Sequence, residues 1–193
     1  KIQVEPVPYY GVVRGDIGYI ALTTFNEHSA NKVKEALIEL KKNPNVKSII
    51  LDLRNNGGGL LESSIKIVGL FVPKNTEVLR TRGKGLLNEK VYKTTTKPID
   101  TEIPLAVLIN NGTASSAEIV SGALQDLDRA VVICTRSFGK GLVQSTRPLP
   151  YNGLLKVTTA KYYIPSGRLI QAIDYSHRNE DGSVARTPDS LTN

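Results

Sequence analysis

The chain has 193 residues, enough for one domain with a sizeable core, and 40% of them are hydrophobic. No apolar run approaches the roughly 20 residues that a membrane-spanning helix needs, and the opening residues KIQVEPVPYY do not have the form of a signal peptide. A net charge of +7 raises nucleic acid as a partner, but the basic residues are scattered and aromatics make up only 6%; a solvated basic surface is the simpler reading, and no nucleic-acid partner is expected.

Residues 1–16 read as a linker or leading strand. Their prolines at positions 6 and 8 suggest a join between domains, so the chain is expected to be an excised domain with any targeting signal outside it. IGYIALTTF (17–25) reads as a strand. SANKVKEALIELKKN (29–43) sets Ala30, Val33, Ala36, Leu37 and Leu40 on one helical face, with Ser29 as the expected N-cap. VKSIILDL (46–53) has the form of a buried strand; it ends in RNNGGG (54–59), and LLESSIKIVGLFV follows as a helix stopped by Pro73. TEVLRTR and EKVYKTT, flanking GKG, read as a hairpin.

The alternation then repeats. PLAVLIN (104–110) predicts a strand, and NNGTASSAEIVSGALQ (110–125) a turn and a helix with Ile119, Val120, Ala123, Leu124 and Leu127 at helical spacing. AVVICT (130–135) is a further strand, whose Cys134 is expected to be a small buried hydrophobe; one cysteine excludes an internal disulfide. LLKVTTAKYYI (154–164) reads as a long strand after an Asn152-Gly153 turn, PSG turns into RLIQAI, and residues 176–193 form a polar, exposed tail without period. Strands alternating with helices imply an α/β domain with a substantially parallel sheet.

A helix start needs one capping hydroxyl, yet Thr113, Ser115 and Ser116 crowd this one. A histidine-based triad would draw on His28 or His177, both more simply read as surface residues. Two histidines and one cysteine also leave too few ligands for a zinc site, and no metal is expected. SFGKGLVQ fails the phosphate-loop pattern twice, with Cys134 where a glycine is required and Gly141 where Ser or Thr is required. Three glycines after a strand do supply backbone N–H groups that a ligand can approach. A serine paired with a lysine remains. The lysine can act as base only if burial or nearby positive charge lowers its pKa from roughly 10.4 towards neutrality. Lys140, between two glycines and after Phe138, stands where a lysine could point inward, although a solvated surface lysine is the simpler reading of that residue alone.

LDLRNNGGGLL, NNGTASSAEIVSGALQDLDRAVV, SFGKGLVQ and LKVTTAKYYIPSGR, in this order, closely resemble the tail-specific, or carboxy-terminal-processing, serine peptidases. The resemblance runs from about residue 18 to 171. The family's serine ends a G-[ST]-A-S run and lies twenty-five residues before its lysine, as Gly112-Thr113-Ala114-Ser115 and Lys140 do here. The resemblance therefore implies Ser115 as nucleophile, Lys140 as general base and Gln144 as a residue that orients the lysine. Acyl transfer also needs N–H donors for the oxyanion; the Ser116 N–H is one candidate and a glycine of Gly57-Gly58-Gly59 the other, Gly58 first, with Gly57 and Gly59 then beside the substrate. LKVTTAKYYIPSGR is expected to be a strand along which an extended peptide adds itself. The fold implied is a crotonase-like core of repeated β–β–α units over residues 17–175, without cofactor. A PDZ domain elsewhere in the full-length chain, substrates with unstructured carboxyl-terminal tails, and a bacterial periplasmic or cell-envelope location are implied as well. Cys134 stands where the family commonly has glycine, and the tail lacks a clear version of the family's closing segment. A crotonase-like enzyme acting on an acyl thioester, or a peptide-binding module inactive as an isolated core, are the alternatives.

Overall fold

The structure, a computed structural model, describes residues 4–84 and 89–192, apart from the side chains of Cys134 and His177. The expected burial of Cys134, the surface placement of His177 and part of the loop after GKG therefore lie outside the described residues. Two strands, β1 (Tyr9–Val13) and β2 (Ile17–Ala21), form an antiparallel pair. The chain continues through α1 (Ser29–Lys41), β3 (Ser48–Asp52), α2 (Leu61–Val68), the hairpin β4 (Glu77–Gly83) and β5 (Glu89–Lys93), β6 (Leu105–Ile109), α3 (Ser116–Asp126) and β7 (Val131–Cys134). The main sheet has the order β1-β2-β3-β6-β7, and its last four strands are parallel. Each parallel step is made through a helix, because parallel neighbours cannot be joined by a tight turn.

The periodicities find their partners. Ala30, Val33, Ala36, Leu37 and Leu40 of α1 are all buried, as are Ile119, Val120, Ala123 and Leu124 of α3. They pack with Ile20, Ile49, Leu51 and Val107, which the two-residue period of β2, β3 and β6 turns to the same face. Ser29 is not the N-cap; His28 occupies that position without a side-chain bond. Ser29 is buried, its Oγ accepting from the Asn26 N–H at 2.8 Å and donating to the Thr24 carbonyl at 3.0 Å. The turn before α1 thus uses the hydroxyl internally.

A second sheet, β5-β4-β9-β8, is antiparallel and includes β8 (Leu142–Pro148) and β9 (Leu154–Tyr163). β9 lies between two neighbours, pairing with β4 over Ala160–Tyr163 and with β8 over Leu154–Lys161. The peptide-adding edge expected of β9 is therefore occupied along most of its length, and the free edge beside it belongs to β8. Within the polar stretch expected as an exposed tail, residues 176–192 carry regular structure. A hairpin of β10 (Ile173–Arg178) and β11 (Val184–Arg186) precedes the short helix α4 (Asp189–Thr192). Thr187 donates its N–H to Ala172 at 2.9 Å, and Leu169 donates to Leu191 at 2.7 Å. Backbone pairing holds this segment, and backbone pairing needs no apolar period.

Asp100 ties the connection before β6 to α1. Its carboxylate pairs with Lys41 and accepts the N–H groups of Glu102 and Ile103 at 2.7 and 2.8 Å. Burial opposes its charge, but the Lys41 hydrogen bond and these two donors outweigh burial and lower its pKa from 3.8 to about 2. A folded-state pKa below the unfolded one contributes stability above about pH 4 that is lost as pH falls towards 2. Asp100→Asn should cost about 1–2 kcal/mol at neutral pH and flatten the acid side of the stability profile, read from denaturant melts at successive pH values.

Candidate active site

The site forms at the carboxyl ends of β3 and β6, adjacent parallel strands. Loops leaving such ends flank the crevice where open α/β sheets bind ligands. At the exit of β3, Asp52 accepts from Tyr19 Oη at 2.6 Å and from Arg54 Nη2 at 2.6 Å. Burial opposes its charge, yet these partners hold the carboxyl below the usual carboxylate range. The loop after β3 is then pinned to the loop after β6. Asn55 and Asn110 exchange two hydrogen bonds of 2.9 Å, Ala114 donates its N–H to the Asn56 carbonyl at 2.9 Å, and Thr113 Oγ1 donates to Leu53 at 2.8 Å. Buried Asn56 donates from Nδ2 to Leu22 at 2.7 Å and accepts the Gly58 N–H on Oδ1 at 2.9 Å. A buried polar network with its members satisfied in this way rigidifies what it connects.

The three crowded hydroxyls now separate. Thr113 is buried and spent on the end of β3. Ser116 is buried as well, its Oγ donating to the Gly59 carbonyl at 2.9 Å. Ser116 thus contributes its side chain to the glycine loop in addition to its backbone. Ser115 alone stays half-exposed. Its backbone has φ 57° and ψ −118°, a conformation non-glycine residues rarely hold, immediately before the first residue of α3. The Ser116 N–H begins that helix and has no protein partner among the described residues.

Gly58 lies against this turn with φ 91°. A Cβ there would come within 2.7 Å of the Ala114 carbonyl oxygen and 2.9 Å of the Ser116 nitrogen, so only glycine permits the approach. Its N–H, however, is committed to Asn56. The N–H groups of Gly57 and Gly59 have no protein partner among the described residues. The glycine loop is therefore placed as expected, while the particular donor expected of it is engaged inward.

Glu118 was not singled out from the sequence. It sits in the first turn of α3, buried, and its carboxylate accepts four hydrogen bonds: from the N–H groups of Ser115 at 2.8 Å, Lys140 at 2.9 Å and Gly139 at 2.6 Å, and from Ser137 Oγ at 2.7 Å. Phe138 adds a bond from its N–H to the Thr113 carbonyl at 3.0 Å. One side chain thus joins the Ser115 turn to the loop carrying Lys140. The Ser-x-x-Glu spacing of a capping box was the available signal.

The lysine itself points elsewhere. Lys140 is exposed and lines an open groove of about 900 Å³ with Phe138, Leu142, Gln144, Thr158 and Ile173. Among the described residues no hydrogen bond joins its Nζ to Ser115 Oγ, contrary to the inward direction expected of it. The loop backbone is fixed by Glu118 and by the Gly141 N–H donating to Gln171 Oε1 at 2.9 Å, whereas among the described residues no bond holds the side chain. Gln144 is exposed on β8; its nearest polar partner is Thr158 Oγ1 at 3.5 Å, and it does not bond Lys140. The structure brings together Ser115, Ser116, Gly58 and the Lys140 backbone, but not the Lys140 ammonium or Gln144.

The model of peptidase family S41 matches residues 16–176. The chain belongs to peptidase family S41. This S41 chain is 43% identical over 175 residues to a carboxy-terminal-processing protease of Bartonella bacilliformis, an alignment covering 89% of the chain and 40% of that relative. It is 36% identical to a chloroplastic C-terminal processing peptidase of Tetradesmus obliquus, over 91% of the chain and 40% of the relative. Among solved structures, the photosystem II D1 C-terminal processing protease superposes with a TM-score of 0.79 at 31% identity, over 89% of this chain and 47% of that one. A lipoprotein from Streptococcus agalactiae, with a TM-score of 0.68 at 23% identity, shares the fold. The S41 chain spans about two-fifths of the length of the curated relatives it matches.

The neighbouring glycines should respond differently to a methyl group. Gly57→Ala meets nothing within 4 Å and should change stability by no more than about 0.5 kcal/mol. Gly58→Ala combines a left-handed backbone with contact on the Ser115 turn and should cost about 1–3 kcal/mol. Urea melts of the two variants check this. For the Glu118 link, Glu118→Gln turns a donor amide towards N–H groups. Amide hydrogen exchange at Lys140 and Ser115 should accelerate together in that variant; protection retained at both would show that Glu118 does not join the loops.

Proposed function

We propose that the chain is the catalytic core of a serine endopeptidase that cleaves protein substrates near their carboxyl ends, with Ser115 as nucleophile and Lys140 as general base. The observation that carries this reading is the Glu118 carboxylate, which fastens the turn of the one accessible hydroxyl in GTASS to the loop of the lysine. Rotation of the unpinned Lys140 side chain out of its groove completes the pair. Lys140 Nζ takes the Ser115 proton as Oγ attacks the scissile carbonyl carbon, and the Ser116 N–H donates to the developing oxyanion. The second donor comes from the glycine loop, from Gly58 if Asn56 releases it. Lys140 then gives its proton to the leaving amine, leaving an acyl-enzyme. Water attacks the ester, passing a proton through Lys140 back to Ser115 Oγ, and a new carboxyl terminus is released.

The substrate is an extended peptide laid beside the free edge of β8, whose backbone can extend the second sheet. Gln144, on that strand and lining the groove of Lys140, orients the lysine once it turns. The core is read as crotonase-like, with β1–β2–α1 supplying one β–β–α unit. A PDZ domain outside this chain and a periplasmic or cell-envelope location follow from the family resemblance. The outward Lys140 favours a second reading of this core by itself: a resting arrangement that binds peptide and turns over slowly.

The test is product mass spectrometry after incubation with an unstructured protein. Ser115→Ala should remain folded and release no products. Lys140→Ala should lower kcat/KM by on the order of 10²–10⁴. Lys140→Arg should be about as damaging, since arginine keeps its proton. An arginine variant with near-normal rate would remove the lysine from its role.

A further inference from the structure

The β8–β9 hairpin runs on past the body of the protein. Beyond the pair Thr146 and Lys156 it continues through Arg147 opposite Leu155 and Pro148 opposite Leu154, closing over Pro150–Asn152. Residues 154–159 of β9 are all exposed. At the end of this arm Tyr151 is fully exposed, Leu154 is 73% exposed, and Leu149 and Leu155 are each 46% exposed. Four large apolar side chains on one solvated tip exceed the scatter expected of a soluble surface.

Charge distinguishes the possible occupants. No aspartate or glutamate occurs between Asp128 and Asp174, a stretch that contains the whole arm. Arg147, opposite Leu155, and Lys156, opposite Thr146, stand on the two faces of the hairpin just behind the apolar tip and form no ion pair among the described residues. An apolar end with a cationic collar, on an arm that carries no acidic residue, complements an anionic bilayer, whose phosphates lie just outside its acyl region. The segment from Arg147 to the turn reaches about 10 Å at roughly 3.4 Å per residue, matching the interfacial depth of such anchors. A second copy is a poor occupant, because tip-to-tip pairing sets the two collars of like charge against each other.

We propose that the β8–β9 tip is an interfacial anchor for anionic lipid, with Leu149, Tyr151, Leu154 and Leu155 entering the boundary and Arg147 and Lys156 at the phosphates. Binding through one arm is weak and reversible and strengthens with the anionic lipid fraction. Gln144 and Thr158 lie on the same hairpin about six residues from the tip, so anchoring holds the groove roughly 20 Å from the lipid surface.

The chain contains no tryptophan, so Tyr151→Trp places a single reporter on the tip. Its emission should shift to the blue on addition of phosphatidylcholine vesicles containing about one-third phosphatidylglycerol, and the protein should sediment with them. Arg147→Gln combined with Lys156→Gln in this reporter should weaken partitioning by on the order of 30-fold. Unchanged emission with the protein left in the supernatant would overturn the proposal, as would equal partitioning to pure phosphatidylcholine. A blue shift without vesicles that grows with protein concentration would assign the tip to a second copy instead.

Discussion

The Glu118 carboxylate is the constraint on which the geometry of the site depends. Two loops that leave the main sheet on neighbouring strands are already joined to each other by the Asn55–Asn110, Ala114–Asn56, Thr113–Leu53 and Ser116–Gly59 hydrogen bonds. A third segment, the Ser137–Gly141 loop between β7 and β8, is brought to the same place by one side chain accepting four hydrogen bonds. Hydrogen bonds to a carboxylate are stronger than neutral ones, and a buried carboxylate left without them is costly. Glu118 therefore fixes the backbone of residues 115 and 140 relative to each other. The lysine side chain is not fixed with it, so the pair is assembled at the level of backbone and adjustable at the level of rotamer.

The crowding of hydroxyls follows from the same demand for a stiff turn. Ser115 holds a backbone conformation that costs free energy, and it persists only where neighbours over-determine it. Thr113 anchors one side of the turn to the end of β3, and Ser116 anchors the other to Gly59. Gly58 fills the space between, closer than any residue with a Cβ could come. The proposed oxyanion side is less complete. The Ser116 N–H is open at the start of α3, while the Gly58 N–H is held by Asn56. The reaction proposed above asks the loop and the lysine for local adjustments only.

Much of this was legible beforehand, for identifiable reasons. Buried faces of α1 and α3 repeat at helical spacing, and their strands are short apolar runs between turn residues, so the element types could be read. The order β1-β2-β3-β6-β7 could not, because a parallel crossover leaves no local signal of which strand it joins. β8 leaves no such mark, because LVQSTRP has no apolar alternation; it is an edge strand held by backbone bonds to β9. The carboxyl-terminal hairpin is likewise held by backbone pairing. In the site, Ser115 and Lys140 came from spacing within a family resemblance, whereas Glu118 left only a capping pattern common at ordinary helix starts. The direction of the Lys140 side chain was not legible at all, since it depends on a rotamer in an open groove.

Membership in peptidase family S41 places this core beside carboxy-terminal-processing relatives more than twice its length. The proposed chemistry rests on one feature: of the hydroxyls in GTASS, only Ser115 is accessible. The most direct measurement is peptide mass spectrometry of the chain after exposure to a fluorophosphonate. The account predicts a single adduct, on Ser115, that fails to form once Lys140 is replaced by arginine. An adduct on Ser116 or Thr113, or labelling of Ser115 at an undiminished rate in Lys140→Arg, would contradict it.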